Sequence, residues 1–283
     1  MMEKIKTADG TETFFNKEYD EAYHSTKAGA YTESLHKFVI PSKIPERAKI
    51  NDKIYILDVG FGLGYNVAVA LLEAIKVNPD IKLEIISIEK DETNFEKIKN
   101  LNIPDFLSKI YQTLTSGEFG NFNIGSKTFY GYRVVDKNLD LKVILGEGRQ
   151  TLKSLKDTGI KFDAVFFDAF SPKVNTEMWT VQLFKVVKSL MKDNTILSTY
   201  SASLAVRKGL QEAGFKIGLV EPIGRKSYST VATIKRNIPD ITEKELFRLE
   251  NSPYSIPYED NENLDLPAEK IKENWEKELK KRL

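Results

Sequence analysis

From residue 54 to about residue 235, short apolar runs alternate with longer stretches whose apolar positions recur every three to four residues. The runs at 54–59, 84–89, 142–145, 163–168, 195–200, 217–220 and 229–234 predict strands. They are rich in Ile, Val, Leu and Phe, as strands covered on both faces are. The stretches at 66–77, 92–100, 149–156, 178–191 and 204–213 predict helices. Strands separated by helices build a mostly parallel, doubly wound sheet, so the fold class is α/β. No helical pattern separates the last two strands, and Gly224 lies between them. They are expected to pair antiparallel, which closes a seven-stranded sheet with a C-terminal hairpin.

Three segments depart from this rhythm. Residues 1–50 carry an Asp9-Gly10 hairpin turn, the aromatic group Phe14, Phe15, Tyr19 and Tyr23, and a helical pattern over 30–39 closed by Pro41 and Pro45. Residues 111–141 are rich in Gly, Asn and aromatics, and alternate at 128–135 and 139–143. That alternation predicts an extra hairpin leading into the third core strand. Residues 237–283 hold four prolines and then a charged helix containing Trp275. The expected organisation is an N-terminal extension (1–50), a core (51–236) with the 111–141 insertion, and a C-terminal loop and helix (237–283) docked through Trp275.

The first predicted strand ends in Asp58-Val59-Gly60-Phe61-Gly62-Leu63-Gly64-Tyr65-Asn66. Glycine at alternate positions lets the backbone take positive φ and lets a ligand approach without a Cβ in the way. The dinucleotide fingerprint is GxGxxG, whereas this chain reads GxGxG behind an acid. That spacing suits the Rossmann-like class I methyltransferases, whose S-adenosylmethionine (SAM) has no pyrophosphate to cradle. Gly60, Gly62, Gly64 and Asn66 are therefore candidate cofactor-binding residues. The second strand ends in Glu89, where an acid accepts hydrogen bonds from ribose hydroxyls in doubly wound sheets. Past the third strand, Glu147 and Gly148 are candidates to meet the adenine amino group.

The fourth strand ends in Asp168, near the switch point where open α/β sheets bind their ligands. A carboxylate there can hold the amine of SAM or take a proton from an attacking amine, which makes Asp168 a catalytic and cofactor-binding candidate. Trp179 is expected in the core or in a pocket wall. Lys173, Arg207, Lys208, Arg225 and Lys226 supply cations from the second half of the sheet for phosphate contacts.

Lys plus Arg total 42 against 41 Asp plus Glu, a net charge of +1, so any nucleic-acid surface must be a local patch. There is no cysteine, which removes disulfides, thiolate catalysis and Cys-ligated zinc. The only histidines are His24 and His36, and no metal is expected. The N-terminus lacks the apolar core of a signal peptide, and no apolar run is long enough for a membrane span. A cytoplasmic protein is expected.

Together the segments GFGLGYN, DAVFFDAFSPKVNTEMW, STYSASLAVRKGLQEAGF and GRK, with the tyrosine-rich stretch and the Glu33-containing helix before them, resemble the methyltransferase domain of the bacterial tRNA 5-methylaminomethyl-2-thiouridine biosynthesis protein, the MnmC family. The resemblance runs from about residue 11 to 235. It implies SAM-dependent methylation of the primary amine of 5-aminomethyluridine, or its 2-thio form, at the wobble position in the tRNA anticodon stem-loop. Larger relatives continue into an FAD-dependent oxidase domain, and the resemblance to a stand-alone form implies no FAD. Two departures are Glu147-Gly148, where the family more often has Asp, and Ser227 in place of a basic residue. Rival readings are a polyamine aminopropyltransferase or other small-molecule SAM enzyme, and a non-catalytic tRNA-binding factor. The oligomeric state is not set by the sequence.

Overall fold

A computed structural model describes residues 4–236 and 238–283; the first three residues and Asn237, which opens the expected C-terminal segment, lie outside the described residues. Strands β1 (Lys4–Lys6), β2 (Glu12–Asn16) and β3 (Glu21–Ala22) form a small antiparallel sheet. The β1–β2 connection turns at Gly10, with φ of 85°. Helix α1 (Ala30–Ser34) continues into a wider-wound turn, Leu35–Val39, and α2 is Ile44–Ala48.

The core then runs β4 (Lys53–Val59), α3 (Tyr65–Val77), β5 (Lys82–Glu89), α4 (Asn94–Lys99), α5 (Asp105–Leu114), β6 (Glu118–Ile124), β7 (Lys127–Val135) and β8 (Leu139–Leu145). It continues through α6 (Gly148–Lys156), β9 (Phe162–Phe167), a 3-10 turn (Thr176–Trp179), α7 (Val181–Ser189), β10 (Met191–Thr199), α8 (Leu204–Glu212), β11 (Lys216–Val220) and β12 (Ser229–Thr233). Helices α9 (Glu243–Asn251) and α10 (Ala268–Arg282) complete the chain.

The large sheet has the order β11-β12-β10-β9-β4-β5-β8-β7-β6. The pairs β4–β5, β4–β9, β5–β8 and β9–β10 are parallel, and β12 pairs antiparallel with both β10 and β11. The chain leaves β4 toward β5 on one side and later returns to β9 on the other, so the switch point lies between β4 and β9. This is the class I SAM-dependent methyltransferase sheet. Alternation along β4 serves two packed layers: Ile54 and Ile56 face the side covered by α3, and Leu57 and Val59 face the side covered by α7 and α8.

The seven expected core strands are β4, β5 and β8 through β12, and the extra hairpin expected within 111–141 adds β6 and β7 at the β8 edge, nine strands in all. Segment 128–135 belongs to β7, which pairs antiparallel with β6 before it and β8 after it. The stretch 139–143 is no separate hairpin arm. It is the start of β8, because the backbone turns tightly at Asp136–Leu139, with Asp136 N–H donating to the Leu139 carbonyl at 2.7 Å. The helix expected over 178–191 is also divided. Thr180 is extended and its hydroxyl accepts from Leu183 N–H, which starts α7 afresh, and Met191 already belongs to β10. Helices α5 and α9 were not anticipated. As expected, the C-terminal helix docks through Trp275: its indole N–H donates to the Ile256 carbonyl at 2.8 Å while Ile271 is fully buried. Among the described residues, no helix is long and apolar enough to cross a membrane.

Candidate active site

The site begins where β4 ends. The chain turns through Gly60, Gly62 and Gly64 at φ of 94°, 53° and 77°, in the left-handed region that favours glycine. A Cβ on Gly60 would lie 2.6 Å from the Asp168 carbonyl oxygen, so this glycine lets the ends of β4 and β9 close together. At the end of β5, Glu89 clasps the loop. Its Oε2 accepts from Gly62 N–H at 2.8 Å, and its Oε1 accepts from Lys90 and Asp91 N–H at 2.7 and 2.8 Å. Burial pushes this carboxyl up, and the three backbone donors oppose the shift.

Asp168 lies immediately beyond β9, beside the loop. Its Oδ2 accepts from Asn66 Nδ2 at 2.7 Å. Burial raises its pKa to about 6 and nearby Glu33 adds to the rise, while His24, Asn66 and Lys37 pull it down. Beneath the loop, Asp58 is fully buried, and one of its oxygens accepts from the Ser87 hydroxyl at 2.8 Å. Its other oxygen, Oδ1, and Asn66 Oδ1 are buried without a partner among the described residues. Burial holds the Asp58 carboxyl well above the usual carboxylate range, with Asp168 and Glu89 adding to the rise and Ser87 and Asn66 opposing it.

Gly60, Gly62, Glu89 and Asp168 open into a cavity of about 810 Å3, whereas Gly64 and Asn66, also expected at the cofactor, do not line it, and neither does Asp58. The N-terminal β2–β3 strap forms its outer wall. Tyr19 stacks on Phe170 at 4.3 Å, and Glu21 accepts from Ser171 N–H at 3.1 Å and from its hydroxyl. The Tyr23 hydroxyl donates to Asn94 at 2.8 Å and accepts from Lys97 at 2.9 Å. Deeper in the wall, buried Glu33 pairs with buried Lys37 and lies 3.8 Å from His24 Nδ1. Burial alone would push Glu33 up, but the His24 contact and the Lys37 charge hold it at about 2. Its stabilising effect is therefore present above pH 4.5 and is lost as pH falls toward 2. Glu33→Gln would leave Lys37 charged and unpaired, and should cost about 3–5 kcal/mol, read as a lower urea midpoint at neutral pH.

The expected residues meet here only in part. Gly60, Gly62, Glu89, Glu147, Gly148, Asp168 and Arg225 all line the cavity. Glu147 is also the N-cap of α6, accepting from Gln150 N–H at 2.9 Å, and pairs with Arg149 at 2.9 Å. Gly148 leaves room for Met178, whose sulfur would lie 2.8 Å from a Cβ there. Trp179 is a core residue, fully buried, with its indole N–H on the Phe170 carbonyl at 2.8 Å.

Arg207 must be corrected. It is 1% exposed, bonds Glu245 Oε2 at 2.6 Å, Thr230 at 3.0 Å and the Tyr228 carbonyl at 3.0 Å, and cannot reach a phosphate. In Val206-Arg207-Lys208 the helix turns Arg207 inward toward α9, a helix the sequence reading lacked. Lys226 is exposed and Lys208 half-buried, and neither lines the cavity. His24, Lys37 and Tyr200 line it without having been expected. For Lys37 the visible signal was its spacing of four from Glu33 on one helix face.

The fold and its glycine loop define a SAM-dependent methyltransferase, and the sequence profile of that description matches residues 119–235. The chain is 39% identical to MNMC2 of Aquifex aeolicus, whose crystal structure superposes with a TM-score of 0.85 over 99% of this chain and 86% of that one. An uncharacterized protein of Methanocaldococcus jannaschii is 32% identical, over 98% of this chain and 72% of that protein. The tRNA 5-methylaminomethyl-2-thiouridine biosynthesis bifunctional protein MnmC of Cupriavidus necator is 31% identical, over 82% of this chain and 34% of that protein. The chain belongs to the MnmC methyltransferase family. It spans about a third of the length of the bifunctional relatives it matches.

Proposed function

We propose that this chain uses SAM to methylate the primary amine of 5-aminomethyluridine, or its 2-thio form, at the wobble position of tRNA. The observation that carries the reading is Asp168, a half-buried carboxylate in the cavity wall, held by Asn66 and pushed up to about 6 by desolvation. The residues fit the cofactor. The glycine loop presents backbone without side chains, and Glu89, at the cavity wall, stands where ribose hydroxyls would donate. Glu147 and Gly148, at the cavity wall, are assigned to the adenine.

When bound, SAM supplies an electrophilic methyl on a positively charged sulfur. Asp168 takes a proton from the incoming ammonium, which frees the nitrogen lone pair, and then holds the neutral amine by a hydrogen bond. Asn66 fixes the orientation of that carboxylate. Catalysis in this scheme is mostly positioning and proton removal. Arg225 at the cavity, with Lys173, Lys208 and Lys226 outside it, is assigned to phosphates of the anticodon stem-loop, and a tRNA substrate places the reaction in the cytoplasm.

The test offers methyl-labelled SAM with bulk tRNA from a strain lacking the modification, and in parallel with polyamines and the free nucleoside. Label is expected in tRNA at a rate well above either small substrate. Equal turnover of a polyamine or the nucleoside would overturn the reading in favour of a small-molecule enzyme.

A further inference from the structure

Beside the catalytic cavity lies a second one of about 350 Å3, and Ser171 lines both. Its walls come from segments far apart in the chain. Lys173 follows β9, Ser203 precedes α8, and Tyr258, Lys272 and Trp275 belong to the C-terminal segment. The Trp275 ring is fixed in place, because its indole N–H is held by the Ile256 carbonyl and its face lies 5.5 Å from Tyr258 at 36°.

The charges in this hollow are unbalanced. On α10, Lys270 pairs with Glu273 and Lys281 with Glu278. Lys173 and Lys272 are exposed, and neither has a carboxylate within 4.0 Å among the described residues. Two unpaired ammonium groups lining one hollow repel each other, and an anion between them would relieve that repulsion. Ser203, the N-cap of α8, makes no capping bond with its side chain and adds a polar group to the wall.

We propose that this cavity seats the nucleotide adjoining the reactive one. Its phosphate lies between Lys173 and Lys272, and its base lies against the Trp275–Tyr258 wall. The inference rests on RNA being the substrate. Aromatic stacking beside cationic groups is how proteins hold an unpaired nucleotide with little regard to sequence. Ser171, shared by both cavities, places this hollow beside a base drawn into the catalytic cavity. The C-terminal helix, which lies beyond residues 119–235, thereby becomes part of the substrate surface.

The test is Lys173→Gln/Lys272→Gln in the full chain, assayed for methylation of unmodified tRNA and for direct binding of an anticodon stem-loop RNA. KM for tRNA should rise about tenfold or more, with kcat within about twofold and SAM affinity unchanged. The log–log salt slope of RNA binding should flatten by about 0.7, for one single-strand phosphate. Lys277→Gln/Lys280→Gln removes the same charge from the same helix at positions that do not line the cavity, and should change KM less than twofold. Parental KM and slope in the first variant, or an equal loss in the second, would overturn the subsite alone. RNA binding that depends on Lys173 and Lys272 without methylation of tRNA by the parent would sink the functional reading alone. Failure of the parent to bind RNA would sink both.

Discussion

Asp168→Asn is expected to lower kcat by about 10²–10⁴-fold, the range general-base catalysis supplies, while making the folded chain more stable at neutral pH. Both effects come from the same burial. A carboxyl whose folded pKa is about 6, against 3.8 when exposed, holds its proton in the native state through a pH window where the unfolded chain has lost it. Stability therefore falls as pH rises from about 4 to about 6, and the burial cost is fully present above that. The shift of about two units corresponds to at most about 3 kcal/mol. Asparagine removes that penalty and can still accept from Asn66. Thermal unfolding at pH 7.5 should show a higher midpoint for Asp168→Asn than for the parent. In the parent, kcat/KM should rise as pH passes about 6, and the variant should lack that limb. A variant that keeps near-parental turnover would remove Asp168 from the chemistry.

The second large effect belongs to Glu89. Glu89→Ala removes the proposed acceptor for the ribose and at once leaves Gly62, Lys90 and Asp91 N–H groups without their partner. Hydrogen bonds to a charged group contribute about 1.5–3 kcal/mol each, so SAM affinity by calorimetry should fall at least about a hundredfold. Gly62→Val should act in the same direction through the backbone. Its φ of 53° is strained for a β-branched residue, and the Tyr23 ring would lie 3.3 Å from the new Cβ. Parental affinity in both variants would place the cofactor elsewhere.

Much of this site was legible because it sits at strand ends. The glycine loop, Glu89 and Asp168 each follow an apolar run, and a parallel sheet brings such positions to one edge. The charges were less legible. Arg207 and Lys208 are adjacent in sequence, yet one is buried against Glu245 and the other is half-buried. Sequence neighbours on a helix point 100° apart, and which of them faces inward depends on α9. That helix does carry a visible start signal, Thr242 three residues before Glu245, with Thr242 accepting from Glu245 N–H at 3.3 Å. His24 could not have been placed from sequence. It reaches Glu33 only because β3 and α1 fold back over the cavity. The 178–191 division turned on Thr180, whose capping role is hidden when apolar residues continue on both sides.

The most direct measurement is the position of the transferred methyl. tRNA lacking the modification is incubated with the chain and methyl-labelled SAM, digested to nucleosides, and fragmented by mass spectrometry. The account predicts that the label sits on the side-chain nitrogen of a 5-aminomethyluridine-derived nucleoside, from the wobble position only, and that Asp168→Asn abolishes it. A label on a ring atom, on ribose, or at another tRNA position would contradict the assignment of the amine as nucleophile.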